Sequence, residues 1–335
     1  MRHFVIAGIL VIAVALLVYV GLDAAELMPV PASAQAGEID WMWDLQVKAM
    51  AFLFALIAVP MLYSLVVFKR KKGDTTDAEH IEGNTPLEVT WSVIPLFVVV
   101  FFAYLGAGNL SRTLRASPDA MAVKVTGIQW KWTFAYPEYG ITTTELYLPV
   151  NKAVLLQMSS TDVIHSFWVP EFRVKQDLVP GRVTQLRITP NLVGDYKVRC
   201  AELCGTSHYN MEELVKVVDS EAFATWVAEQ QVIAAQQAAT PEGRGQKIYE
   251  TFCNACHSID GTGGNGPTWR GLYGSEVVLA DGTTVTADDA YILESIQDPT
   301  AKVVENFQAM TFKYEAAGIT VEELNDILAY IKTIR

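Results

Sequence analysis

Three uncharged apolar blocks constrain this chain more than anything else in it. Residues 4–22 and 49–68 contain no charged side chain, and residues 94–110 form a third, shorter block that includes glycines. An α-helix rises 1.5 Å per residue, so about 20 such residues span a bilayer. Core helices of water-soluble domains seldom stay uncharged for so long, and the pattern therefore predicts membrane insertion. Lys69-Arg70-Lys71-Lys72 follows the second block directly, and clustered cations mark a cytoplasmic loop. The second block then runs inward and the third runs back out, which leaves everything after about residue 112 outside the cytoplasm. Residues 1–36 read as a secretory signal ending in the small-residue cleavage pattern Ser33-Ala34-Gln35-Ala36, or as a third membrane helix, because the apolar run stops well before that pattern. Residues 40–111 form a transmembrane helical hairpin.

From 112 to 220 the texture changes to short alternating runs. Val123-Lys-Val-Thr, Trp130-Lys-Trp-Thr-Phe-Ala-Tyr, residues 153–158, 183–188 and 195–199 alternate, with Pro180-Gly181 and Val193-Gly194 as turn signals between them. Several short strands with regular punctuation predict a small β-sandwich or barrel. Residues 221–242 read as a helix running into a linker, with Phe223 and Trp226 followed by Gln/Ala-rich sequence. From 243 to 335 the pattern is helical again, with glycine-rich loops. Near the end, Val321, Leu324, Ile327, Leu328 and Ile331 define one face of a closing helix. The net charge is −12, which argues against nucleic acid as a partner and for a basic or metal-bearing one.

All four cysteines fall in two close-spaced motifs, each with a histidine after it, a pattern that points to metal or haem rather than to disulfides. In the first, Cys200-Ala-Glu-Leu-Cys204-Gly-Thr-Ser-His208-Tyr-Asn-Met211, two thiolates, an imidazole and a thioether occupy one short loop. A second imidazole stands upstream in Asp162-Val-Ile-His165-Ser-Phe-Trp. Copper in an electron-transfer role takes this donor set, and two thiolates can bridge two copper ions. Tetrahedral zinc would use the two cysteines and two histidines but leave Met211 and Glu202 without a role. A Cys200–Cys204 disulfide is the other alternative.

The second motif, Cys253-Asn-Ala-Cys256-His257, is Cys-x-x-Cys-His, the attachment signature of c-type haem. A redox dithiol or half of a zinc site would use the same cysteines, but no partner ligands follow. Beyond His257 the chain holds no histidine or cysteine, and Met310 is the only methionine after residue 243. Met310 is therefore the second axial ligand by elimination. Such His/Met ligation leaves no open iron position, which suits electron transfer and disfavours oxygen chemistry.

With its upstream His-Ser-Phe-Trp, the Cys-x-Glu-x-Cys-x3-His-x2-Met loop resembles the CuA centre of cytochrome c oxidase subunit II over roughly residues 40–220. Residues 243–335 resemble the small class I cytochromes c, so the whole chain resembles a caa3-type subunit II with a fused cytochrome. The resemblance implies a cupredoxin-like CuA domain over 112–220 and an all-α cytochrome c domain over 243–335. It implies that His165, Cys200, Cys204, His208 and Met211 hold two copper ions through their side chains, and that Glu202 ligates through its carbonyl while its carboxylate faces a magnesium ion. Trp130, in Gln129-Trp130-Lys-Trp132, is then the residue through which electrons enter. Asp177-Leu-Val-Pro-Gly-Arg182 matches a segment that packs near subunit I. In the class I cytochromes a proline carbonyl accepts a bond from the ligand histidine, which Gly266-Pro267 would supply here. Those cytochromes usually carry proline after the ligand methionine, where this chain has Thr311.

Glu88, in Pro86-Leu-Glu-Val-Thr-Trp91 at the start of the third block, reads by itself as a functional candidate or as a helix-start acid favoured by the macrodipole. The resemblance makes it a proton-uptake residue. It further implies a proton-pumping terminal oxidase of the bacterial inner membrane with its metal domains on the extracytoplasmic side. Subunits I and III would be partners. The donor would be a soluble cytochrome, a cupredoxin or a quinol-oxidising complex. Nitrous oxide reductase shares the copper motif but leaves the hairpin and Glu88 unexplained. A nitric oxide reductase subunit could share both, and only its partner chain would separate it. A copper-delivery protein would show a thioredoxin-like βαβ pattern and no haem motif.

Overall fold

The computed structural model describes residues 1–77 and 80–335, in two units: residues 1–31 with 35–115, and residues 32–34 with 116–335.

The first unit is three long helices, α1 (Arg2–Ala24), α2 (Ala34–Val67) and α3 (Thr85–Thr113). All three are long and apolar enough to cross a membrane. Their side chains are mostly exposed in this chain alone, and only Val11, Ala55 and Val59 form a small buried cluster. Polar side chains stitch the helix ends: Tyr19 donates to Asp44 Oδ1 at 2.9 Å, and Arg112 Nε to Glu38 Oε2 at 2.8 Å. Pro60 lies inside α2 and Pro95 inside α3. Membrane helices tolerate such prolines; one turn on, Ser64 Oγ donates back to the Pro60 carbonyl at 2.6 Å. The start of α3 is fixed by chemistry rather than apolarity. Asn84 Oδ1 accepts from Leu87 N–H at 3.1 Å and Pro86 sits in the first turn, where a missing N–H costs nothing. The helix therefore begins nine residues before the apolar block does.

In the second unit, ten strands form the predicted sandwich: β1 (Met121–Ile128), β2 (Lys131–Tyr136), β3 (Ile141–Thr143), β4 (Leu146–Pro149), β5 (Val154–Ser160), β6 (His165–Trp168), β7 (Lys175–Leu178), β8 (Thr184–Ile188), β9 (Gly194–Cys200) and β10 (Glu212–Val218). One sheet runs β3-β2-β1-β5-β8 and the other β4-β10-β9-β6-β7. Strict alternation of buried and half-exposed residues along β5 is the period-2 signature of a one-faced strand. Trp132, Phe134, Tyr136, Leu146, Leu156 and Phe167 fill the core with no exposure. Residues 32–34 dock on this unit: Ala32 N–H donates to the Glu171 carbonyl and Ser33 Oγ to that of Phe172, both at 2.9 Å. Ser33, in the candidate cleavage pattern, is thus buried.

The region read as helix and linker is helix almost throughout. Asp219 caps α4 (Ser220–Ala238) by accepting from Glu221 and Ala222 N–H. Phe223, Trp226 and Val227 seat it on the sandwich core, with Trp226 stacked on Tyr147 at 4.4 Å. Only residues 239–240 separate it from α5 (Pro241–Ile248). Alanine and glutamine are good helix formers, so this composition extends the helix instead of ending it.

The last segment is helical with one addition. After α5 come a π-helical turn (Tyr249–Cys253), a hairpin of β11 (Glu276–Val278) and β12 (Thr284–Thr286), α6 (Asp289–Gln297) and α7 (Val321–Ile331). The expected closing helix is present, started by a capping box between Thr320 and Glu323. It buries Leu324, Ile327, Leu328 and Ile331, whereas Val321 in its first turn is exposed. Helices α5 and α7 cross so closely that a Cβ on Gly245 would lie 1.9 Å from the Asp326 carbonyl. Arg244 makes a two-pronged bond to the Asp326 carboxylate at 2.7 and 2.8 Å beside that crossing.

Candidate functional site

The first cluster forms where the β6 start, the β9 end and the loop before β10 meet. Antiparallel pairing of β6 with β9 sets Phe167 opposite Cys200, which brings His165 beside the loop. His165 Nδ1 lies 3.9 Å from Cys200 Sγ, and Cys200 Sγ lies 3.7 Å from Cys204 Sγ. Cys204 Sγ is 3.5 Å from His208 Nδ1 and 3.8 Å from Met211 Sδ, while the Glu202 carbonyl is 3.2 Å from Cys200 Sγ. The sulfurs are too far apart for a bond of about 2.05 Å, and all four cysteines are free thiols. Donors roughly 2.0–2.3 Å from an ion stand roughly 3.3–3.8 Å apart around it, so these spacings fit metal sharing. Five side chains and a carbonyl exceed what one tetrahedral zinc ion takes, and a thioether suits copper. The donor set fits two coppers bridged by Cys200 and Cys204.

The electrostatics agree. Burial opposes ionising Cys200, but hydrogen bonds from His165 and from the backbone at Glu202 and Ser166 outweigh it and bring the thiol down to about 6. Burial and the charge of Cys200 then push Cys204 up to about 12. Bound cations would remove that repulsion, because a coordinating thiol is deprotonated outright. The other nitrogen of His165, Nε2, meets Asp162 Oδ1 at 2.9 Å. Burial works against the Asp162 carboxylate, yet bonds from His165, Gln129 N–H and Val163 N–H hold it below the ordinary range. A carboxylate on the outer nitrogen fixes the ring and directs Nδ1 at the metal. The sequence reading missed this role of Asp162, although an acid three residues from a ligand histidine is a visible signal.

The Cys204 carbonyl accepts from Gln129 Nε2 at 2.8 Å and from Trp130 Nε1 at 3.1 Å. Trp130, half-buried, therefore lies directly on the loop. Gly205 makes this possible: its φ is +118° and a Cβ there would come within 3.0 Å of Gln129 Nε2 and 3.1 Å of Trp130. The Glu202 side chain is exposed. Ser166 Oγ donates to Asp177 Oδ1 at 2.7 Å, which ties the 177–182 segment to the same strand.

The second cluster is the loop after the π-helical turn. His257 Nδ1 is 2.8 Å from the Pro267 carbonyl, and Tyr249 Oη donates to the His257 carbonyl at 2.9 Å. Burial pulls the His257 pKa below its ordinary value, so the ring stays neutral, as a metal ligand must. The Pro267 bond leaves Nε2 for iron. Gly266 is a cradle that only glycine fits, since a Cβ would lie 2.6 Å from His257 Cε1. Cys253 and Cys256 are half-buried beside it. These residues fit a covalently held haem. Met310 lies half-buried in the irregular chain between α6 and α7.

Glu88 belongs to neither cluster. It is exposed in this chain, and its Oε1 accepts from Asn84 N–H at 3.1 Å as part of the α3 cap.

Comparison with known proteins matches three stretches of the chain. Residues 19–106 match the family profile for cytochrome c oxidase subunit II, transmembrane domain, residues 141–218 that for its periplasmic domain, and residues 243–335 that for cytochrome c. The chain is 34% identical over 249 residues to cytochrome c oxidase subunit 2 of Synechocystis sp., covering 60% of this chain and 75% of that one. It is 34% identical over 277 residues to that of Thermostichus vulcanus (67% and 84%) and 28% over 310 to that of Alkalihalophilus pseudofirmus (89% and 88%). Among solved structures, the periplasmic domain of subunit II of cytochrome oxidase from Bradyrhizobium japonicum aligns at 31% identity with a TM-score of 0.34, over 35% of this chain and 97% of that one. The chain belongs to the cytochrome c oxidase subunit II family, in the caa3-type form with a cytochrome c domain fused at its C-terminal end.

Proposed function

We propose that His165, Cys200, Cys204, His208, Met211 and the Glu202 carbonyl hold the two ions of the CuA site, and that Cys253, Cys256, His257 and Met310 hold the haem. Subunit II carries electrons to subunit I of the haem-copper oxidase complex, from a membrane anchor and a periplasmic CuA domain. When bound, the haem iron and the paired coppers supply the one-electron chemistry. The chain's own residues bind, orient and shield them. Asp162 holds His165 in the ligand orientation, Pro267 holds His257, and Met211 and Phe167, both essentially unexposed, keep water from the inner face of the copper loop. The observation that carries the reading is the spacing of the Cys200 and Cys204 sulfurs at 3.7 Å with two imidazoles and a thioether against them.

In the same proposal Trp130 passes electrons to the loop through its contact with the Cys204 carbonyl. The exposed Glu202 carboxylate takes a magnesium ion at the join with subunit I, and Glu88 takes up protons at the cytoplasmic end of α3. Subunit III and a soluble donor complete the partners. The site on which oxygen is reduced belongs to subunit I.

EPR and near-infrared spectra of the purified complex test the metal assignment. A mixed-valence two-copper signal together with a low-spin haem c is expected, and Cys200→Ser should abolish the first while leaving the second. A single-copper or zinc-only site would overturn the reading. Oxygen consumption by the same sample tests the oxidase assignment.

A further inference from the structure

Trp130-Lys131-Trp132 touches both clusters at once. Trp130 Nε1 donates to the Cys204 carbonyl, and Trp132 Nε1 lies 3.4 Å from the Met211 carbonyl with its ring edge-on to His165. The residue between them faces the other way. Lys131 Nζ donates to the Glu250 carbonyl at 2.7 Å and to Asn254 Oδ1, and Asn254 is the first residue between the haem-binding cysteines. Lys131 is only 7% exposed.

We propose that Lys131 is a positioning residue that fixes the cytochrome domain on the copper domain in the pose used for electron transfer between them. The proposal rests on the metal assignments above. Burying an ammonium is costly unless its donors are met, and an apolar side chain of similar size would fill the space without that cost. Stability alone therefore does not call for lysine. What an ammonium adds is direction: it accepts only a partner surface with acceptors at the right points, here the backbone and side chain of the haem-binding turn. A second contact fixes rotation about the first. Asn265 Nδ2, in the loop that cradles His257, donates to Ser207 Oγ at 3.1 Å, and Ser207 immediately precedes His208. The covalent join is tight as well. A Cβ on Gly243 would lie 2.4 Å from the Gln237 carbonyl, and Gln237 Nε2 donates to Glu250 Oε2 at 2.9 Å. The cytochrome is thus clamped in register with the copper loop, where a flexible tether would supply only effective concentration.

The test uses the whole oxidase complex carrying Lys131→Met or Lys131→Arg. Three quantities are measured: the copper and haem spectra, the copper–haem distance distribution by pulsed dipolar EPR, and the internal transfer rate after rapid photoreduction of the haem. Lys131→Met should leave both spectra unchanged, broaden the distance distribution and slow internal transfer, because electron transfer weakens steeply as the gap between the centres widens. Lys131→Arg should restore a narrow distribution. A Lys131→Met complex with the unaltered distribution and rate overturns the proposal. If that variant does not assemble, Lys131→Gln, too short to reach both acceptors, carries the same two outcomes. Absence of the two-copper or haem c spectrum in the unaltered complex would instead overturn the metal assignment, and is read separately.

Discussion

At the scale of single residues, the proposed copper ligand His165 is held by a neighbouring carboxylate outside the donor set. Asp162 fixes the outer nitrogen of His165 and takes N–H bonds from Gln129 and Val163. Outer carboxylates of this kind contribute to affinity by fixing ring orientation. Asp162→Ala is therefore expected to lower copper retention against a competing chelator by about 10–100-fold, with the fold intact by circular dichroism. Unchanged retention would show that the ring is held by its packing against Gly127 and Trp132 and not by the carboxylate. Asp162 left a signal in the sequence, three residues from His165, whereas Lys131 left none. A charged residue in a strand or turn of alternating pattern reads as a solvated one, and only a partner arriving from elsewhere in the chain shows otherwise.

Among the elements, the α5–α7 crossing sets the shape of the cytochrome domain. Gly245 lets the two backbones meet, and Arg244 fastens α5 to Asp326 on α7. Gly245→Ala must push the helices apart, and overpacking of this sort costs about 1–3 kcal/mol. A lower denaturation midpoint followed in the haem absorption band is expected, with the copper spectrum unaffected. A midpoint equal to that of the unaltered protein would show that the crossing can relax at no cost. Helix α7 was legible because its apolar spacing and its Thr320/Glu323 cap agree. The β11–β12 hairpin was missed although Asp281-Gly282 is a turn signal between Val277 and Val285, because strands of three residues are too short to show a period. Helix α4 was half legible: its aromatic anchors stood out, but an Ala/Gln run has no apolar stripe to distinguish a helix from a linker.

For the molecule as a whole, charge is unevenly spread. Residues 243–335 hold 7 Lys/Arg against 13 Asp/Glu, giving 7 − 13 = −6 of the total −12. A soluble donor reaching this domain should carry a basic face. Its KM should rise as ionic strength passes from low to physiological, where the Debye length falls to about 8 Å. Turnover that ignores salt would count against an electrostatic encounter. What the sequence by itself determined was the membrane anchoring, the two-copper donor set in the 200–211 loop and the haem signature at 253–257. Bilayer crossing needs a run of apolar residues, and metal ligation needs particular side chains at short spacing; both are local properties. The tertiary structure alone decided that Gln129 N–H also holds the Asp162 carboxylate, that Lys131 reaches the haem-binding turn, and that α4 runs on to within two residues of α5. The first two join residues that the chain's path brings together, and the third depends on Phe223 and Trp226 finding the sandwich core.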